Sequence, residues 1–295
     1  MIILLVLKTI KHNIMKVSIV TTAYNIEKYI EKCLTSLFAQ TYKDIEVVLV
    51  NDCSTDKTME IVAKFTDPRL KVVHHERNAG AGWARKTGIA NATGEYVITV
   101  DGDDWISPDF IEKLIKNAEE TGADIVSGGI TYVWDENYEE IKRFLPHISE
   151  GMQKFKDYAN QKIVFLNNKI VRRTMYDVVP YSTRRYCEDT PVILPLLYYA
   201  NKVSYVDTQG YYYLQHAQSL CHKVNVFEDS MFKALCSQEM RAFFANKGEE
   251  YKGLISEQEF MMYLRKMKAT MTPELTQHYC NELGELMPTI LNMIQ

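Results

Sequence analysis

Three carboxylates crowd into four consecutive positions at Asp101-Gly102-Asp103-Asp104, directly after the apolar run from Tyr96 to Val100. Like charges this close repel one another unless a cation lies among them. Oxygen-only ligands at such a turn suit a hard divalent ion, Mg²⁺ or Mn²⁺. Gly102 lets the backbone take an unusual conformation and lets a ligand approach. The alternative is a solvated acidic turn capping the next helix, and these four residues alone do not separate the two. A second acidic pair, Glu188-Asp189, precedes a helical pattern with Val192, Ile193, Leu196 and Leu197 as its apolar face. Its neighbourhood is basic and Tyr-rich (Arg184, Arg185, Tyr186). By itself the pair is an N-terminal cap, favoured by the helix dipole.

The segments that must position these groups alternate in type from residue 16 to 134. Val17 to Thr22 and Ile45 to Val50 are buried-strand runs, and Leu70 to Val73 and Tyr96 to Val100 follow as third and fourth strands. Between them come helical spacings: Ile26, Ile30, Leu34, Leu37 and Phe38; then Met59, Ile61, Val62 and Phe65; then Trp83 to Ala90. Ser107-Pro108-Asp109 reads as an N-cap, a Pro at the first helical position and an acid in the first turn, opening a helix to about Glu120. Asp124 to Val126 begins another strand. Strands alternating with helices argue for a mostly parallel sheet covered on both faces. Ligands of such sheets bind beyond the carboxyl ends of the strands. Tyr24-Asn25, Asn51-Asp52 and Asp101 to Asp104 all fall on that edge, and their convergence is the main argument for a site.

Composition bounds the rest. The chain has 295 residues, 46% hydrophobic and 24% charged, with a formal net charge of −4. No basic domain is present, so nucleic acid is not an expected partner. Cys33, Cys53, Cys187, Cys221, Cys236 and Cys280 form no C-x-x-C pair, which fits reduced thiols in a cytoplasmic protein. The apolar run Ile2 to Leu7 is too short to span a bilayer. It reads as a non-native or frayed extension ahead of Met15, or as a weak membrane-touching segment at the inner face. Residues 135–182 are a variable connection with a short strand near Ile163 to Leu166, and Val203 to Val206 and Tyr211 to Tyr213 are short strands. From about residue 225 the pattern is helical. Met261, Met262, Met267 and Met271 read as core or a homodimer face rather than a lipid contact.

Five pieces in order and spacing carry a resemblance to a known family. They are Val17 to Asn25 with Tyr29-Ile30; Val48 to Thr58; Asn78-Ala79-Gly80; Ala84-Arg85; and Gly94-Glu95-Tyr96 leading into Asp101 to Asp104. Together they resemble the donor-binding half of family 2 glycosyltransferases, which have the GT-A fold, an α/β Rossmann-like sheet flanked by helices. The resemblance is strong over the first 135 residues and thin through Asn168-Lys169, Glu188-Asp189 and Tyr211 to Leu220. It implies a nucleotide-sugar donor, most often a uridine one, and a glycan or lipid-linked saccharide acceptor, as in bacterial surface polysaccharide synthesis. Thr22, Ala23, Tyr24, Asn25, Glu27, Asp52, Asn78, Arg85, Asp101 and Gly102 would then line the donor. Asp52 would hydrogen-bond the base, Tyr24 would pack on it, and Arg85 would lie near the diphosphate or the acidic turn. Asp103 would bind a Mn²⁺ or Mg²⁺ ion, with Asp101 shared between metal and ribose. His216 would touch the phosphates or complete the metal shell; a lone surface His is the plain alternative. The resemblance makes Glu188-Asp189 the catalytic pair, with Asp189 the general base of a single inverting displacement. Cys53 replaces a usual Gly, Lys86 a common Asn and Gly102 a common Ser. Lys86 adds a positive charge near the expected phosphates.

Other classes fit less well. Gly80 to Arg85 lacks the third Gly or Ala of a dinucleotide fingerprint and is not in the first βα unit. A sugar nucleotidyltransferase needs a Gly-rich basic loop where this chain has Ala23 to Glu27. A non-catalytic nucleotide-sugar binding module is the remaining alternative, against which both acidic motifs stand. His74-His75 are strand neighbours that point to opposite faces and make no ready metal site. The expected organisation is an extension at 1–15, a glycosyltransferase domain at 16–222 divided at 134/135 into donor and acceptor halves, and a helical region at 223–295.

Overall fold

β1 (Val17–Ala23) is buried along nearly its whole length, as a central parallel strand covered on both faces must be. This is a computed structural model. It describes residues 15–134, 140–144, 154–155, 165–182, 187–217, 219, 225–251, 253–283 and 292. The expected extension before Met15, the Arg184 to Tyr186 neighbourhood and Cys221 lie outside the described residues. After β1 come α1 (Ile30–Phe38), β2 (Ile45–Asn51), α2 (Thr58–Val62), β3 (Leu70–His74), α3 (Ala81–Ala90) and β4 (Tyr96–Asp101). β1 lies between β2 and β4, and β3 pairs with β2, all in parallel. Ile30, Leu34 and Leu37 of α1 pack on Ile19, Ile98 and Val100 from one face of the sheet. Ile89 of α3 meets Val20, Val48 and Val97 on the other.

The sheet then continues through β5 (Trp105–Ile106), β6 (Ile125–Trp134), β7 (Glu140–Phe144), β8 (Lys169–Arg172) and β9 (Val203–Gln215), with α4 (Phe110–Thr121) and α5 (Thr190–Tyr199) interleaved. Strand order among the described residues is β3-β2-β1-β4-β8-β6-β9-β5, with β7 on β6. Beyond β4 the pairing is mixed, since β8 runs antiparallel to both β4 and β6 while β6 and β9 are parallel. α6 (Val226–Phe244), α7 (Glu257–Thr270) and α8 (Pro273–Leu283) follow. α6 is opened by a reciprocal cap between Asn225 and Glu228. Phe227, Met231, Leu235, Leu264, Met267 and Tyr279 form their shared core, whereas Met261 and Met262 are exposed. Among the described residues no helix is long and apolar enough to cross a membrane.

Three local expectations change. The two short strands at Val203 to Val206 and Tyr211 to Tyr213 are one strand, β9. Register shifts around Gly129 absorb the irregularity, and Gly128 and Gly210 leave room for the Phe110 ring, which a Cβ at either would strike. α4 starts at Phe110, not after Ser107. Ser107 is held by its amide on the Gly210 carbonyl, and the buried Gln40 side chain accepts from Ile111 N. The strand expected near Ile163 to Leu166 begins at Lys169 instead. Ile163 and Val164 are outside the described residues, Phe165 and Leu166 are not in a strand, and Asn168 turns the backbone left-handed at φ 62°.

Candidate active site

The carboxyl ends of β1, β2 and β4 lie side by side, because Thr22 pairs with both Val50 and Asp101. The polar turns that follow these strands therefore share one edge, the ligand edge of a parallel sheet. Arg85 projects into this region from α3 and is only 6% exposed. Its Nη2 donates to Asp101 Oδ1 at 2.8 Å. Its Nη1 donates to Glu188 Oε1 at 2.5 Å and to Asp189 Oδ1 at 3.0 Å. One guanidinium thus joins the acidic turn to the acidic pair that precedes α5.

Charge does not balance there. Three carboxylates meet one guanidinium, and burial makes each charge costly. Burial pushes the Asp189 carboxyl up; Glu188 and Asp101 push the same way, Arg85 and Lys169 pull it back, and it settles at about 7. Asp189 stands at the N-cap of α5, yet its carboxylate makes no capping hydrogen bond. The side chain is turned to Arg85, so the plain cap does not describe its use. Lys169, fully buried on β8, donates from Nζ to Asn167 O at 3.1 Å, Asn168 Oδ1 at 2.6 Å and Phe165 O. Burial pulls its ammonium down to about 7, while the Asp189 charge acts the other way.

The acidic turn divides its work. Asp103 Oδ2 faces His216 Nε2 at 3.1 Å. His216 is not a surface histidine: it is 4% exposed, lies against the Tyr29 ring at 4.7 Å, and its buried Nδ1 has no hydrogen-bond partner among the described residues. Asp104 is fully buried and accepts from Tyr211 OH at 2.5 Å and Leu214 N at 2.8 Å. Burial, with the Asp103 and Asp101 charges, pushes its carboxyl well above the usual range. Asp104 therefore fastens β9 to the turn and sets where His216 falls. Asp101 is committed to Arg85. Among the described residues no three His, Cys, Asp or Glu side chains are grouped to hold a metal.

Gly102 has a different reason from the one its sequence suggested. It takes no left-handed conformation; a Cβ there would lie 2.6 Å from Thr22 O and 2.4 Å from Ile26 Cδ1. The glycine serves packing under the turn. Cys53 does adopt φ 66°, which costs an L-residue roughly 1–2 kcal/mol and suits the glycine it replaces. Asp52 is 3% exposed; Oδ1 accepts from Ala79 N at 2.8 Å and meets His75 Nδ1 at 2.7 Å, while Oδ2 accepts from Gly80 N at 2.7 Å. A carboxylate offers about four lone-pair sites, so one remains for a ligand. Asn25 and Glu27 bind the β1 loop to the β2 loop: Asn25 Oδ1 accepts from Thr55 N at 2.8 Å, and Glu27 Oε2 from Lys57 N at 2.8 Å. Tyr24 is 47% exposed beside them. Ala23 is buried and offers its carbonyl to Asp52 N, Thr22 offers its own to Gly102 N, and Asn78 lies in the loop before α3. Lys86 is exposed with Nζ over the Trp83 ring. Sequence reasoning gave His75 no part, and gave Lys169 and Tyr211 no role although both lie in segments that the resemblance covers thinly. For His75 the signal was adjacency, since it follows the third strand.

Glycosyl transferase family 2 matches residues 18–179. The glycosyltransferase GlyA of Streptococcus pneumoniae is 32% identical over 211 residues, covering 67% of this chain and 30% of that protein. The putative glycosyltransferase EpsH of Bacillus subtilis is 31% identical over 258 residues, 80% of this chain and 72% of that protein. The chain thus spans under a third of one curated relative and nearly three quarters of the other. In fold it is similar to TarS 1-349 of Staphylococcus aureus in complex with UDP-GlcNAc, at TM-score 0.63 and 22% identity, covering 95% of this chain and 88% of that one. It is likewise similar to the mannosyltransferase PcManGT of Pyrobaculum calidifontis with GDP-Man and Mn²⁺, at TM-score 0.57, 16% identity and coverages of 95% and 84%. The mixed α/β sheet flanked by helices is the GT-A fold, the family match spans more than half of the residues, and the chain belongs to the family 2 glycosyltransferases.

Proposed function

We propose that this chain transfers a sugar, with inversion, from a uridine diphosphate sugar to a hydroxyl of a glycan or lipid-linked saccharide. The observation that carries this is the Arg85 junction, which joins Asp189, with one oxygen held at 3.0 Å, to Asp101 at the carboxyl edge of the parallel strands. Asp189 Oδ2 has no hydrogen-bond partner among the described residues and is the atom to take the acceptor's proton. As that hydroxyl oxygen bonds to the anomeric carbon, the bond from this carbon to the diphosphate oxygen breaks on the opposite side. One displacement inverts the centre, and no sugar-enzyme bond forms, unlike the two-step retaining route. A carboxyl raised towards neutrality is a stronger base than an ordinary aspartate and still ionises near working pH. Asp52, with one acceptor site left, and exposed Tyr24 fit a base carrying an N–H donor. Relatives support the class: TarS of S. aureus, 30% identical over 210 residues, is a poly(ribitol-phosphate) beta-N-acetylglucosaminyltransferase. Action at the cytoplasmic face in polysaccharide synthesis fits this reading.

A divalent ion fits Asp103 and His216. One carboxylate oxygen and one imidazole nitrogen already face each other, and a mixed set suits Mn²⁺ better than Mg²⁺. Two protein ligands are enough when substrate phosphates complete the shell. When bound, the ion would offset charge on the departing diphosphate. Asp101 remains with Arg85 and the donor side.

The test is Asp189→Asn. Transfer from the UDP-sugar should fall roughly 10²–10⁴-fold, the usual share of base catalysis, with the melting curve and UDP binding retained. A variant that folds and keeps most of its transfer activity makes the base assignment wrong.

A further inference from the structure

Arg85 was expected near the diphosphate or the acidic turn, and it meets the turn at Asp101. Its geometry is unlike that of a phosphate-binding arginine. Such a residue offers its planar fork to solvent or ligand, with donors to spare. Here three of the five N–H donors are taken by protein carboxylates, and the rest sit on a side chain closed from solvent. Nη1 serves Glu188 and Asp189, Nη2 serves Asp101, and Nε is buried with no hydrogen-bond partner among the described residues. The side chain is 7% exposed. The three carboxylates it holds come from β4 and from the start of α5, two segments that no other described ion pair joins.

We infer that Arg85 is a positioning residue: it fixes the Asp189 carboxylate against the donor-binding turn and does not bind the donor's phosphates. The inference rests on Asp189 as the base. Asp101 holds one end of the guanidinium at the turn, and Asp189 Oδ1 holds the other. Asp189 Oδ2 is thereby aimed, and the distance from base to donor is set by one rigid planar group. Glu188 shares Nη1 with Asp189 and keeps the fork from rotating. Lysine cannot reproduce this, because an ammonium is a point donor with no fixed plane. A misplacement of about 1 Å at a reacting group can cost 10²-fold in rate.

The experiment compares Arg85→Lys with the parent protein, and Asp189→Asn as control, in UDP binding by calorimetry with Mn²⁺ and in steady-state transfer. The inference expects UDP affinity within about threefold of the parent and kcat lower by about 10²-fold. Free guanidinium should restore part of the activity of Arg85→Ala. UDP affinity falling in step with kcat would make Arg85 a phosphate ligand and overturn the inference; unchanged kcat would also overturn it. Because removal of a buried cation can prevent folding, the parent protein supplies a second readout. Its Arg85 guanidinium ¹⁵N resonances should stay in place on adding UDP with Mg²⁺, and a large shift would contradict the positioning role. If Asp189→Asn retains transfer, the base reading itself has failed, whatever Arg85 does.

Discussion

Two carboxylate clusters sit at opposite edges of the same parallel strands, and they treat charge in opposite ways. At the amino edge, Glu46 of β2 accepts from Ser18 Oγ at 2.5 Å, Thr93 N at 2.6 Å and Lys16 Nζ at 2.9 Å. Burial pushes its carboxyl up, but these hydrogen bonds outweigh that and hold it at about 2. At the carboxyl edge, three carboxylates share Arg85, and Asp189 is pushed up to about 7. The first cluster has several donors for one anion and is finished as built; the second has one cation for three anions and leaves a proton site near neutrality. On the proposed reading, the amino edge serves stability and the carboxyl edge serves chemistry.

That contrast can be broken from either side. The largest effect is expected at the carboxyl edge. Asp103→Asn should weaken UDP binding in Mn²⁺ by about tenfold or more, in the range that losing a ligand-shell group costs a metal site, and the variant should respond little to chelator. Calorimetry with and without EDTA measures this; metal-sensitive binding in the variant equal to that of the parent would remove Asp103 from the metal. A smaller effect belongs to the amino edge. Glu46→Gln should lower stability by about 1–3 kcal/mol in urea unfolding, the cost of a hydrogen-bonded partly buried charge, and leave kcat unchanged. The sign with pH follows from its depressed value. Glu46 contributes its stability above the unfolded carboxylate range near 4.3 and loses it as pH falls towards about 2, so the difference between parent and variant should shrink in acid. A difference that persists there would assign the loss to packing.

The parallel part of the sheet was legible because its information is local. β-branched runs, helical spacings and the turns after β1, β2 and β4 fix both the elements and the edge they share. Gly80, at φ 94° before α3, and the acidic turn fall where the sequence pattern places them. What sequence could not show is closure over distance. Arg85 meets Asp189 across 104 residues, and His216 meets Asp103 across 113. Spacing carries no such signal. By sequence, β9 divides into Val203 to Val206 and Tyr211 to Tyr213; the requirement that Gly210 make way for Phe110 exists only in three dimensions. Asp52 was legible as a residue of the turn after β2, but its hold on Ala79, Gly80 and His75 was not, since those contacts join β2 to the loop before α3.

The central claim is that Asp189 is the base and that its raised value belongs to the chemistry. The direct measurement is the pH dependence of kcat/KM for transfer. A base must be ionised to act, so activity should rise with pH through a midpoint near 7 and fall away below it, and this limb should vanish from the residual activity of Asp189→Asn. A midpoint near the ordinary aspartate value of about 3.9, or a limb unchanged in the variant, would contradict the account.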